Sequence, residues 1–158
     1  KEQSVAMGVN LQTLQLENIR KDIIQATDDK LNDWMVPMIA FSSTDNEMSV
    51  KYMETHKLAQ KRKANLYHFS LYKQKNPVAS ITLSIAGDIA RIDDVATFPD
   101  FQGKGYATSL MTYALSEAKN IGASYCFLES SESGLSIYQK LGFKTLFKNN
   151  IYIAPYYI

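Results

Sequence analysis

The sequence lacks most of the features that assign a class at a glance. With one cysteine, Cys126, no internal disulfide can form, and that usage leans toward the cytoplasm. Long apolar runs are missing. The longest, Trp34 to Phe41, is broken by Pro37 and is far too short to span a bilayer. Lys1 to Asn10 contains no basic segment followed by an apolar one, so no signal peptide is expected. The opening Lys in place of Met suggests that a few native residues precede it. Neither charge dominates: 17 Lys and Arg stand against 16 Asp and Glu, a net charge of +1. A basic excess is the usual mark of duplex binding, so nucleic acid is not expected as the main partner. Repeats, low-complexity tracts and Cys/His pairs at metal-ligand spacing are also absent, and no metal is expected.

What remains is an ordinary globular composition, 46% apolar and 21% charged. A chain of 158 residues suits one domain over residues 1–158 and can bury a core without disulfide or metal support. Near the start, Val9, Leu11, Leu14, Leu16 and Ile19 fit neither the helical nor the strand period. Asp22 to Ala26 reads as a short first strand. Asp28 or Asp29 is placed to cap a helix over Leu31 to Phe41, with Leu31, Trp34, Met35 and Met38 on one face. After a polar turn at Ser42 to Asn46, a second helix is expected over Glu47 to Lys63. Val50, Met53, His56 and Leu58 are partly periodic there, His56 being read as a surface residue. The helix closes on Lys61, Arg62 and Lys63, cations suited to the negative end of its dipole.

From Asn65 the pattern changes. Leu66 to Tyr72, Val78 to Ile85 and Ala90 to Phe98 alternate or carry β-branched residues. Lys73 to Pro77 and Gly87-Asp88 separate them, which predicts an antiparallel meander. Pro99 ends the third strand. Gly103 to Asn120 has apolar residues at helical spacing and is stopped by Gly122. Ser124 to Leu128 is a short strand, parallel to its neighbour because a helix joins them. Ser133 to Leu141 is a short helix, and Lys144 to Ala154 a final aromatic-rich strand or hairpin. The fold class is therefore α/β, a mixed antiparallel and parallel sheet covered by helices.

The stretch Val95-Ala96-Thr97-Phe98-Pro99-Asp100-Phe101-Gln102-Gly103-Lys104-Gly105-Tyr106-Ala107 runs from strand through glycine-containing loop to helix. The first amides of a helix have no internal partner and carry partial positive charge, and glycines let backbone approach an anion. Lys104 adds a mobile cation. Gly103 and Gly105 equally suit a bare strand-to-helix turn. A P-loop needs Lys after its last Gly and then Ser or Thr, whereas Lys104 precedes Gly105 and Tyr106 follows. A dinucleotide fingerprint needs a third Gly, which the neighbourhood of Ser109 lacks.

These residues resemble those of the GCN5-related N-acetyltransferase (GNAT) family. Gln102-Gly103-Lys104-Gly105-Tyr106-Ala107 is similar to the family's Gln/Arg-x-x-Gly-x-Gly/Ala loop, and Tyr138-Gln139-Lys140-Leu141-Gly142-Phe143 to its Tyr-x-x-x-Gly-Phe segment. The likeness covers roughly residues 66–153 and, more weakly, the helices over 31–63. It implies a sheet with a V-shaped splay, acetyl-CoA as cosubstrate, and attack by a primary amine in a ternary complex.

The resemblance also implies site residues. Gln102 to Ala107 hold the pyrophosphate. The pantetheine arm pairs with Val95, Ala96 and Thr97 like an added strand and reaches Ser131. The N–H near Val95 polarises the thioester carbonyl, a contribution of roughly 3–4 kcal/mol when one such donor is removed from other enzymes. Tyr138 is the implied general acid, since a phenol with a pKa of about 10 can protonate the leaving sulfur. Two departures bear on cofactor affinity: Ser131 stands where relatives carry Asn, and uncharged Gln102 where many carry Arg.

For the general base, Asp93, Asp94 and Glu129 flank the implied splay. Adjacent strand residues face opposite sides, so at most one of Asp93 and Asp94 is expected to face the cleft. His68 is read as a hydrogen-bonded strand histidine, Cys126 as a buried strand residue and Phe143 as core. Acceptor choice is implied to lie with residues 31–63 and 144–158, where Trp34, Tyr152, Tyr156 and Tyr157 line a pocket or a homodimer contact. The implied acceptor is a small-molecule or peptide amine: a protein N-terminus, a lysine, a polyamine, an amino sugar or an antibiotic. A coenzyme-A-binding sensor without catalysis is the alternative.

Overall fold

The computed structural model describes residues 2–17, 23–42 and 46–152. Ile19, Asp22, most of the turn at Ser42 to Asn46, Ala154, Tyr156 and Tyr157 lie outside them. Among the described residues no helix is long and apolar enough to cross a membrane.

The strands are β1 (Glu2–Asn10), β2 (Ile24–Ala26), β3 (Leu66–Lys73), β4 (Asn76–Ala86), β5 (Ile89–Thr97), β6 (Tyr125–Ser130) and β7 (Lys144–Ile151). The helices are α1 (Leu31–Ser42), α2 (Asn46–Lys61), α3 (Tyr106–Ile121) and α4 (Leu135–Lys140). One seven-stranded sheet runs in the order β2-β3-β4-β5-β6-β1-β7. The expected meander is present: β3, β4 and β5 pair antiparallel through the turn at Gln74-Lys75 and the reversal at Gly87-Asp88. β6 joins β5 in parallel, as the intervening α3 requires.

Helices cover both faces. Neighbouring residues of β3 show this: the His68 ring packs against Trp34 of α1, and the Phe69 ring against Tyr113 of α3. Covered on both sides, β4 is buried at every position from Val78 to Leu83. α3 puts Leu110, Met111, Ala114, Leu115 and Ala118 into the core and stops at Gly122, whose φ of 110° is the left-handed conformation expected of a helix-ending glycine. In α1, Leu31, Trp34 and Met35 form a second buried cluster against which Met38 packs.

Three expectations are revised. The short strand expected at 22–26 is present at Ile24–Ala26 but is not the first; β1, inserted between β6 and β7, precedes it. Val5, Ala6 and Met7 are buried in succession, so the alternation that marks a one-sided strand never appears. Asp28 does not cap α1. Its carboxylate accepts the His68 amide, and Lys30 stands before the first turn, its carbonyl accepting from Asp33 and Trp34. His56 is not on the surface; it is 8% exposed.

Candidate active site

β5 and β6 pair only from Ile89–Tyr125 to Arg91–Phe127. Beyond that point β5 follows β4 and β6 follows β1, so the two parallel strands diverge. The gap opens into a cavity of about 490 Å³. Val95 and Ala96 line it from β5, Leu128 and Glu129 from β6, and Ser131 and Tyr138 from the segment after β6. Helices α1 and α2 close the opposite side with Met35, Met38, Ile39, Phe41, Met48 and Tyr52.

Asp93 and Asp94 both line this cavity, contrary to the one-or-the-other expectation. The reason is a bulge. The β4–β5 register runs from Thr82–Asp93 to Ser80–Ala96, leaving Asp94 and Val95 opposite one residue. Asp94 takes a φ of 56°, a left-handed conformation that Asp tolerates better than most side chains. Its carboxylate accepts the Thr82 hydroxyl at 2.7 Å and the Tyr52 hydroxyl at 2.9 Å. Thr82 in turn accepts the Trp34 indole N–H at 3.1 Å. Burial, then the Asp94 charge, pushes the Tyr52 phenol up, so it stays a donor. Asp93 is clamped by Arg91 through its Nε and Nη2, at 2.8 to 3.0 Å. Glu129 accepts from Asn149 at 2.7 Å and from Ser4 at 3.4 Å. Among the described residues, the charged ones lining the cavity are thus all acidic.

At the far end of β5 the chain turns through a short 3-10 segment, Pro99–Phe101, into α3. Gly103 and Gly105 have φ of 72° and 79°, and Gly105 is the N-cap. The amides of Gly103, Lys104 and Gly105 find no acceptor among the described residues. The Gln102 side chain donates to the Thr97 carbonyl at 3.3 Å, tying loop to strand. Lys104 is not a free cation: its ammonium donates to the Asp100 carbonyl at 2.8 Å and lies 5.0 Å from the centre of the Phe101 ring.

Tyr138 sits on α4, its ring edge-on to Phe143 and packed against the main core. Gly134 leaves the room it needs, since a Cβ there would lie 2.8 Å from the ring. Burial pushes its phenol up, which keeps it protonated at neutral pH. Cys126 is fully buried and its thiol is pushed up to about 12, chiefly by desolvation, so it is no nucleophile.

The sequence matches the family model "Acetyltransferase (GNAT) family" over residues 30–143. The chain belongs to the GNAT acetyltransferase family. Solved structures share the fold. A putative GNAT acetyltransferase from Novosphingobium aromaticivorans matches with a TM-score of 0.68 at 16% identity, covering 93% of this chain and 61% of that one. A GCN5-related N-acetyltransferase from Kribbella flavida gives 0.66 at 16%, covering 90% and 54%. Glucosamine-6-phosphate N-acetyltransferase from Arabidopsis thaliana gives 0.57 at 15%, covering 85% and 97%. The chain thus spans less than two thirds of the first two proteins. No curated protein matches.

In this GNAT chain the V-shaped splay lies where the motifs imply it, between β5 and β6. Trp34, expected at a pocket or an interface, is instead wholly buried among Tyr52, His56 and His68. Tyr152 is 76% exposed and lines none of the cavities described. Met48 and Tyr52 are not among the residues expected at the site, although Met48, Tyr52 and His56 recur every four residues on one face of α2. A polar chain behind the cavity is equally unexpected. Asp28 accepts from His68 Nδ1 at 2.8 Å, which fixes the proton on that nitrogen, and His68 Nε2 meets His56 Nδ1 at 2.8 Å. His56 and Tyr52 line a second cavity of about 230 Å³ that shares Asp93 and Asp94 with the first. Burial, and then the neighbouring His68, lowers the His56 pKa, against a smaller opposing effect of Asp94 and Asp93.

Proposed function

We propose that the chain is one acetyltransferase domain that moves an acetyl group from acetyl-CoA to a primary amine while both are bound. The observation that carries this is the divergence of β5 from β6, with unpartnered amides at one end and Tyr138 with an acidic cleft at the other. The residues fit the cosubstrate. Gly103, Lys104 and Gly105 offer amides to its diphosphate at the start of α3, with Gln102, Tyr106 and Ala107 framing them. Val95 to Thr97 present a strand edge that no described neighbour pairs on the β6 side, suited to the pantetheine amides. Ser131 lies beside that path. Bound acetyl-CoA supplies the acetyl thioester.

The chain's own groups then divide the proton work. Asp94 takes the proton of the incoming ammonium, directly or through water, and Glu129 adds charge that favours that cation at the cleft. The amide near Val95 donates to the developing oxyanion. The Tyr138 phenol, held protonated by burial, returns a proton to the leaving sulfur. Thiol release from acetyl-CoA in the presence of amines tests this. Tyr138→Phe is expected to lower the rate by roughly 10²–10⁴-fold while coenzyme A affinity holds. An unchanged rate removes Tyr138 from the mechanism. Binding of coenzyme A with no turnover on any amine points to the non-catalytic sensor instead.

A further inference from the structure

Helix α1 is more apolar than its packing needs. Leu31, Trp34 and Met35 supply the buried cluster, yet Met38, Ile39 and Phe41 continue the apolar surface onto the wall of the 490 Å³ cavity. Met48 extends that wall from α2. Phe41 and Met48 are 58% and 60% exposed, a large apolar area to leave against water without an occupant. Unbranched methionines adapt to ligands of varied outline and make favourable contacts with aromatic rings.

The facing side differs. Asp93, Asp94 and Glu129 stand there, and among the described residues the charged lining includes no Lys or Arg. Arg91 offsets Asp93 just outside. Asp94 and Glu129, both held by neutral donors, therefore leave two carboxylates beside the strand gap, and an apolar surface lies opposite them.

We propose that the acceptor is a primary amine with one positive charge on an apolar carbon body. The inference rests on the acetyl-transfer reading above and narrows it. The ammonium sits toward Asp94 and Glu129, next to the gap that receives the thioester, and the body lies on Met38, Ile39, Phe41 and Met48. A second ammonium, as in a polyamine, would be pressed onto the methionine wall and lose its hydration. The hydroxyls of an amino sugar would lie there unpaired, a mismatch that binding sites reject strongly.

The test is thiol release from acetyl-CoA with hexylamine, 2-phenylethylamine, a Met-Leu dipeptide amide, spermidine and glucosamine. At least one of the first three is expected to exceed spermidine and glucosamine in kcat/KM by about ten-fold or more. A best rate on the dipeptide amide would put the apolar body in a peptide, and a best rate on a free alkyl or aryl amine in a small molecule. Either outcome supports the proposal. Phe41→Ser and Met48→Ser, both at exposed positions, are expected to raise the acceptor KM about ten-fold and leave the acetyl-CoA KM unchanged. Spermidine or glucosamine turning over as fast as the apolar amines, or an acceptor KM unmoved in both variants, would overturn the proposal and leave acetyl transfer standing. No turnover of any amine would overturn both.

Discussion

At Asp94 the backbone sits at a φ of 56° and the carboxylate holds two hydroxyls, from Thr82 and Tyr52. Asn tolerates the left-handed conformation and can still accept both bonds, so Asp94→Asn preserves the bulge and removes only the charge. Its kcat/KM is expected to fall roughly 10²-fold or more while coenzyme A affinity holds. An unchanged kcat/KM would move the base elsewhere. His56 makes a separate prediction. Its native pKa lies below the ordinary 6.5, so the unfolded chain binds a proton there before the native one does. Stability is therefore full above about pH 6.5 and declines as pH falls further, by at most about 1.4 kcal/mol per pH unit from this group. Urea midpoints at pH 7 and pH 5.5 measure this, with His56→Gln expected to flatten the slope. Equal slopes in parent and variant would contradict it.

The loop into α3 acts as an element, because its amides serve only if the turn holds its shape. Gly105 caps the helix at a φ of 79°, and a Cβ built there meets no protein atom within 4 Å. Gly105→Ala is thus expected to fold, at a cost of about 1–2 kcal/mol for the conformation, while placing a methyl in the proposed path of the diphosphate. Calorimetry is expected to show coenzyme A binding weakened about ten-fold or more, and unchanged affinity would count against the cradle. This loop was legible in the sequence because glycine placement, a terminating proline and the helical spacing from Ala107 to Ala118 coincide. The parallel pairing of β6 followed from the helix before it. β1 was hidden because its partners, at Ser130 and Ile151, are remote and both its faces are covered. The bulge was hidden because nothing in Asp93-Asp94-Val95 obliges a left-handed residue. His56 was misread because its burial comes from His68 and Trp34, across the sheet-to-helix interface, and not from any pattern in α2.

Across the whole molecule, the proposed chemistry depends on two strands kept apart. β1 binds the outer side of β6 along Val5 to Asn10, and β4 binds the outer side of β5, so neither strand is free to close the gap between them. One face of the sheet brings α3 and its loop to one end of that gap, and α1 and α2 bring the apolar wall and Tyr52 to the other. A crystal structure of the chain with acetyl-CoA bound tests this arrangement most directly. The account predicts the diphosphate on the amides of Gly103 to Gly105, the pantetheine arm along Val95 to Thr97, and the thioester sulfur beside the Tyr138 hydroxyl. A nucleotide held anywhere else, with the space between β5 and β6 empty, would contradict it.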